Sequence, residues 1–62
     1  MTAGERLKDL RGERPQTIVA KEIGISRSAL IKYENDERLP RPEIMVKIAK
    51  YYKKSVNNIF FS

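Results

Sequence analysis

The chain of 62 residues is one domain, near the small end of what folds unaided. It has no cysteine and no histidine, which excludes disulfides and most zinc sites, and its hydrophobic fraction of 40% suffices for one core. The net charge of +5, from 13 Lys+Arg against 8 Asp+Glu spread along the whole chain, suits a polyanionic partner without requiring one.

Five helices and no strand are predicted. Thr2-Ala3-Gly4-Glu5 fits a capping box, and Ala3, Leu7 and Leu10 then repeat at helical spacing, so a first helix is expected from Ala3 to Arg11. Gly12 breaks it. Arg14-Pro15 opens the next element, with proline expected in the first turn, where its missing N–H costs nothing. The second helix is expected to bury Val19, Ala20 and Ile23, and Ile18 in part. Gly24 ends it in a conformation other residues resist, and Ser26 caps a third helix from Arg27 to about Glu34, with Leu30 and Tyr33 inside. Asn35-Asp36 closes that helix, since both tolerate left-handed angles. Leu39-Pro40-Arg41-Pro42 connects to a fourth helix that begins at Pro42. It carries Ile44, Met45, Ile48, Ala49 and Tyr52 on one face and Lys53-Lys54 at its end. Ser55 caps a short fifth helix, whose Val56, Ile59 and Phe60 close the core.

A helix ended by glycine, a tight turn and a second helix make a helix-turn-helix, whose second helix can enter the major groove of DNA. The order Gln16, Val19-Ala20, Gly24-Ile25-Ser26, Leu30, Tyr33-Glu34-Asn35, Pro40, Ile48-Ala49-Lys50 and Val56 through Phe60 follows one pattern. In this the chain resembles, over nearly its whole length, the Cro/cI-type helix-turn-helix family, also called the XRE family. The resemblance implies an all-α, five-helix, lambda-repressor-like DNA-binding domain and a transcription regulator that binds as a dimer. It implies that Gln16 bonds a phosphate and that Asn35 lies near the sugar-phosphate backbone. It also implies that Arg27, Ser28 and Lys32 face base edges. The chain departs from the pattern at Pro15, where a Ser or Thr cap is common, and in a shortened connection from Arg11 to Gln16. Asp36 replaces the usual glycine and Glu37 follows it; acidic groups near phosphates would weaken binding.

Residue chemistry agrees with these roles. Arg27, in the first turn of the third helix, can donate two hydrogen bonds to guanine O6 and N7, whereas Ser28 discriminates less. Lys32 shares the Ser28 side of the helix. In an arbitrary helix all three are solvated side chains; the flanking pattern favours base contact. Arg38 and Arg41 are phosphate candidates, since in this architecture the loop after the third helix runs close to the backbone. Ile31 is either a partly exposed packing residue, the expectation here, or an apolar contact to a thymine methyl. Lys47, Lys50 and Lys54 form a solvated stripe, and Glu34, Asp36 and Glu37 read as charge balance beside basic neighbours. Apolar surface concentrates near the C-terminus, and its excess, Phe61 above all with Tyr51, is the candidate dimer interface.

Catalysis has no support. No histidine can activate Ser26 or Ser28, and the three glycines stand isolated rather than in a phosphate loop, so no cofactor or metal is expected. No apolar run approaches the ~20 residues of a membrane span. Met1-Thr2-Ala3-Gly4 does not open a secretory signal, so a cytoplasmic location is expected. The favoured reading is a sequence-specific regulator of double-stranded DNA, a repressor acting as a homodimer on two half-sites. Concentration or a regulatory protein partner would control it. The alternative is an antitoxin-like protein-interaction module with secondary DNA binding. RNA binding is weaker, because no aromatic stacking platform is evident.

Overall fold

The computed structural model describes residues 1–62 and contains helices joined by turns, with no strand. The elements are α1 (Ala3–Arg11), α2 (Gln16–Ile23), α3 (Arg27–Glu34), α4 (Pro42–Tyr52) and α5 (Val56–Phe60). None is long and apolar enough to cross a membrane.

Local chemistry sets most of the boundaries. Thr2 Oγ1 accepts from the Glu5 amide at 3.1 Å, and Glu5 Oε1 accepts from the Thr2 amide at 2.8 Å, so the capping box forms as expected. Gly24 closes α2 at φ 95°, where both its own amide and that of Ile25 bond to the Ala20 carbonyl. Ser26 and Ser55 cap α3 and α5 by accepting from the Ala29 and Asn58 amides, each at 3.0 Å.

One helix boundary differs from expectation, and two others carry left-handed residues. Pro15 sits one residue earlier than expected, as the N-cap of α2 with extended ψ 141°, because its carbonyl accepts the bond from Val19 that opens the helix. At the end of α3, Asp36 alone takes the left-handed conformation (φ 59°), while Asn35 stays at φ −93°. Lys53 ends α4 in the same left-handed region (φ 57°), a position usually given to glycine.

The core consists of Leu7, Val19, Ala20, Ile23, Leu30, Tyr33, Met45, Ile48, Ala49, Ile59 and Phe60. α3 lies at the centre, packed on α1 and α2, while α4 and α5 pack together and close the other side. Ile18, expected to be partly buried, is 50% exposed. It lies across the helix from the stripe formed by Val19, Ala20 and Ile23.

Two features fix how α1 crosses α3. Gly4 is buried, and a Cβ there would strike the Glu34 carbonyl oxygen and stand 2.8 Å from Asp36 Oδ1. Only glycine lets the start of α1 sit on the backbone at the end of α3. Asp36 then completes the junction, accepting from Thr2 Oγ1 at 2.6 Å and from the Gly4 amide at 2.9 Å.

Candidate nucleic-acid interface

α3 presents two contrasting faces. Leu30, Tyr33 and Glu34 point inward, and at about 100° per residue this turns Ser28, Ile31, Lys32 and Asn35 outward, with Arg27 at the edge of that face. Arg27, Ser28, Lys32 and Asn35 are exposed. Arg27, Ser28 and Lys32 make no side-chain hydrogen bond within the chain, and Asn35 makes only a long one, 3.4 Å, to Glu37. Free donors therefore stand in a row along one helix face. Ile31 is partly exposed, as expected, but it does not pack against the core.

Arg38 and Arg41, both exposed, line one shallow hollow together with Tyr33, Glu43 and Ile44. The loop after α3 thus brings the two guanidinium groups to one place beside the start of α4. Glu43 shares the hollow without forming an ion pair with either.

Gln16 opens α2, whose first-turn amides gain no side-chain cap from Pro15. Its Nε2 donates to Glu34 Oε1 at 2.9 Å. A carboxylate only accepts, so this bond fixes which end of the amide faces inward, and the second N–H of Gln16 remains free at the helix terminus. Gln16 therefore stands half-buried and oriented.

Glu34 is the residue that sequence reasoning missed. It reads in the sequence as charge balance for bases within a turn of it, yet it is 1% exposed and its partners come from other helices. Arg11 donates to it through Nε at 2.8 Å and Nη2 at 3.0 Å, a fork that joins α1 to α3, and Gln16 adds α2. The bonds to Glu34 hold the Arg11 guanidinium above its already high ordinary pKa. Arg11 Nη1 also reaches the Arg14 carbonyl at 2.8 Å and so stiffens the loop into α2. The signal was present in the sequence, since Glu34 falls on the same helical stripe as Leu30, where a charge must find a partner.

Asp36 also differs from expectation. Its carboxylate is occupied at the N-terminus of α1 instead of balancing a nearby base. The Thr2 hydroxyl and then the Gly4 amide hold its carboxyl below the usual aspartate range. This explains why an aspartate serves where glycine is usual: it accepts the left-handed backbone and caps a second helix.

A further polar group joins the α1–α2 loop, α2 and α4. The Tyr51 hydroxyl accepts from Arg14 Nη1 at 2.8 Å and donates to Glu22. The bond to Glu22 comes first among the causes that raise the pKa of Tyr51, followed by burial. The Arg14 guanidinium lies 5.4 Å from the centre of the Tyr51 ring and 5.9 Å from that of Tyr52. Tyr52 keeps a buried hydroxyl without a partner; burial, and then the charge of Glu34, push its pKa up to about 12.

The two expected dimer residues differ in environment. Tyr51 is half-buried and bonded within the chain, whereas Phe61 is 62% exposed. Arg6 steadies the segment that carries Phe61 by donating to the carbonyls of Ile59 at 2.9 Å and Ser62 at 2.6 Å.

Comparison with known proteins agrees with this fold. The sequence model of the helix-turn-helix family matches residues 7–58. Among solved structures, the P22 c2 repressor protein, in complex with synthetic operator 9T in the presence of Tl+, superposes with a TM-score of 0.92. It is 24% identical, and the match covers 98% of this chain and 96% of that one. No curated protein sequence matches.

Proposed function

The chain belongs to the helix-turn-helix family, of the Cro/cI type, and on that premise we propose that it is a cytoplasmic, sequence-specific regulator of double-stranded DNA. It acts as a repressor, bound as a homodimer to an operator of two half-sites. The observation that carries this reading is the outward face of α3. Its N-terminal turn offers unpaired Arg27 and Ser28 while its opposite end is locked into the body of the domain. The solved operator complex of the similarly folded P22 c2 repressor supports it.

In this reading α3 enters the major groove. Arg27 forks onto guanine O6 and N7, with Ser28 and Lys32 on neighbouring base edges. Gln16, oriented by Glu34, gives its free N–H to a phosphate at the start of α2, where unpaired amides already favour an anion. Asn35, Arg38 and Arg41 hold the phosphates on the other side of the helix, and fix register without reading sequence. Phe61 forms the two-fold contact, against the ring of Tyr51 or its own symmetry mate.

Selection of bound duplexes from a random library tests this reading. Two half-sites are expected with centres about 34 Å apart, one turn of the duplex. If a dimer neutralises roughly 6–10 phosphates, affinity should fall by ~10³ or more between about 50 and 200 mM salt. Arg27→Ala should cost about 1–3 kcal/mol on the best site and relax the preference at one base pair per half-site. Gln16→Ala and Arg38→Ala should weaken all sequences nearly equally. A uniform loss with Arg27→Ala together with a changed base preference in Gln16→Ala would reverse the assigned roles. Phe61→Ser should shift the monomer–dimer balance in sedimentation and leave folding intact; an unshifted balance removes Phe61 from the interface.

A further inference from the structure

Ile31 is the one large apolar side chain on the outward face of α3. Its neighbours there are Arg27 one turn back, Ser28 three residues back and Asn35 one turn on, all exposed. The partly buried apolar residues that do pack on the core from this region are Ile25 and Ala29, so Ile31 has no part in that packing. A β-branched residue is also a poorer helix former than the lysine or alanine that an outward position would favour. Neither packing on the core nor helix propensity accounts for isoleucine here, and the part of this half-buried side chain that stays exposed meets water until a partner covers it.

A lone isoleucine ringed by polar and basic side chains is too small a patch to dock another protein. It is the right size for one methyl group. Among the base edges of the major groove, the single apolar group is the C5-methyl of thymine. Building on the proposal that α3 enters that groove, we infer that Ile31 is a specificity-determining residue that seats against a thymine methyl close to the guanine bound by Arg27. Residues four apart on a helix are ~6 Å apart along its axis, less than two base-pair steps of ~3.4 Å each. The thymine therefore lies within about two base pairs of that guanine. Arg27 and Ile31 would then read one short word together, the first by hydrogen bonds and the second by shape.

Uracil tests this directly, because replacing thymine by uracil removes the methyl group and keeps every hydrogen-bonding edge. Each thymine of one half-site in the tightest selected duplex is replaced in turn, and affinity is measured for the native chain, Ile31→Ala and Arg27→Ala. One replacement is expected to weaken the native chain about three- to fivefold, the order of one buried methyl group. The same replacement should leave Ile31→Ala nearly unaffected and should still weaken Arg27→Ala. If Ile31→Ala does not fold, Ile31→Gln, a good helix former without a methyl group, takes its place. Replacements that cost the native and Ile31-substituted chains equally, or cost neither anything, overturn the assignment while the DNA-binding reading stands. A selection that enriches no duplex overturns both.

Discussion

At its C-terminal end α3 is fastened by charge. Glu34 takes Arg11 from α1 and Gln16 from α2, and Asp36 caps α1 through Thr2 and Gly4. At its N-terminal end only local bonds order the first turn, from the Ala29 amide to Ser26 Oγ and from the Leu30 amide to the Ser26 carbonyl, and the side chains of Arg27 and Ser28 stay unpaired. The difference separates two needs of one helix. Donors that meet a partner must be free of internal bonds, while their direction must be set elsewhere. Here it is set six or seven residues away, by groups whose bonds are already satisfied inside the domain. A buried ion pair adds little net stability over an apolar pair of the same shape, but it tolerates one arrangement and penalises its own disruption heavily.

The largest expected effect falls on the fastened end. Glu34→Ala leaves Arg11 without its fork and should cost about 3–5 kcal/mol. The total for a chain of this length is on the order of 3–9 kcal/mol. Urea unfolding should show most of the stability gone; a loss under ~1 kcal/mol would mean that Glu34 does not anchor α3. Next is Gly4→Ala, whose new methyl meets the Glu34 carbonyl oxygen and should cost about 1–3 kcal/mol by overpacking. Alanine is otherwise the better helix former by ~1 kcal/mol, so a stabilised variant would show that the crossing has room to give.

At the free end the effect should be smaller. Ser26→Ala should cost about 1 kcal/mol, the ordinary worth of an N-cap, with an unchanged urea slope. A loss as large as that of Glu34→Ala would erase the contrast between the two ends.

The smallest effects are in pH dependence. Asp36 is held below its unfolded pKa, so its contribution is present above the unfolded value and is lost as pH falls through the lowered folded value. Asp36→Asn should therefore flatten the acid limb of the melting temperature against pH. Tyr52 runs the other way: an unfolded tyrosine ionises near pH 10 and the folded one at about 12, so stability should fall as pH rises between them. Tyr52→Phe removes that decline, and because it also removes an unpartnered buried hydroxyl it should be neutral or slightly stabilising at pH 7. An alkaline limb that keeps its slope in Tyr52→Phe would assign the decline to another group.

Much of this was legible before the structure. Thr2 with Glu5, Ser26, Ser55, Gly24 and Pro42 marked helix boundaries correctly, and the apolar stripes of α2, α3 and α4 picked out most of the core. The amphipathic phase of α3 also foretold that Arg27, Ser28 and Lys32 would stand in solvent. Ile18 was misplaced because a residue that precedes the stripe's first member in sequence looks like part of it, although at about 100° per residue it falls on the far side of the helix. Arg11, Arg14 and Glu22 carried no signal, and Glu34 read as charge balance, because each, taken alone, is an ordinary charged residue.

The sequence by itself determined most of the points where helices start and stop, because a cap and its amide lie within three or four residues of each other in the chain. It also determined that one face of α3 would be polar. Tertiary structure decided what fills the other face. Arg11 and Glu34 are 23 positions apart, Gly4 and Asp36 are 32, and Arg14 and Tyr51 are 37. No local spacing encodes such pairs; they exist only once the packed core has brought the helices together and made an unpartnered charge too costly to leave inside.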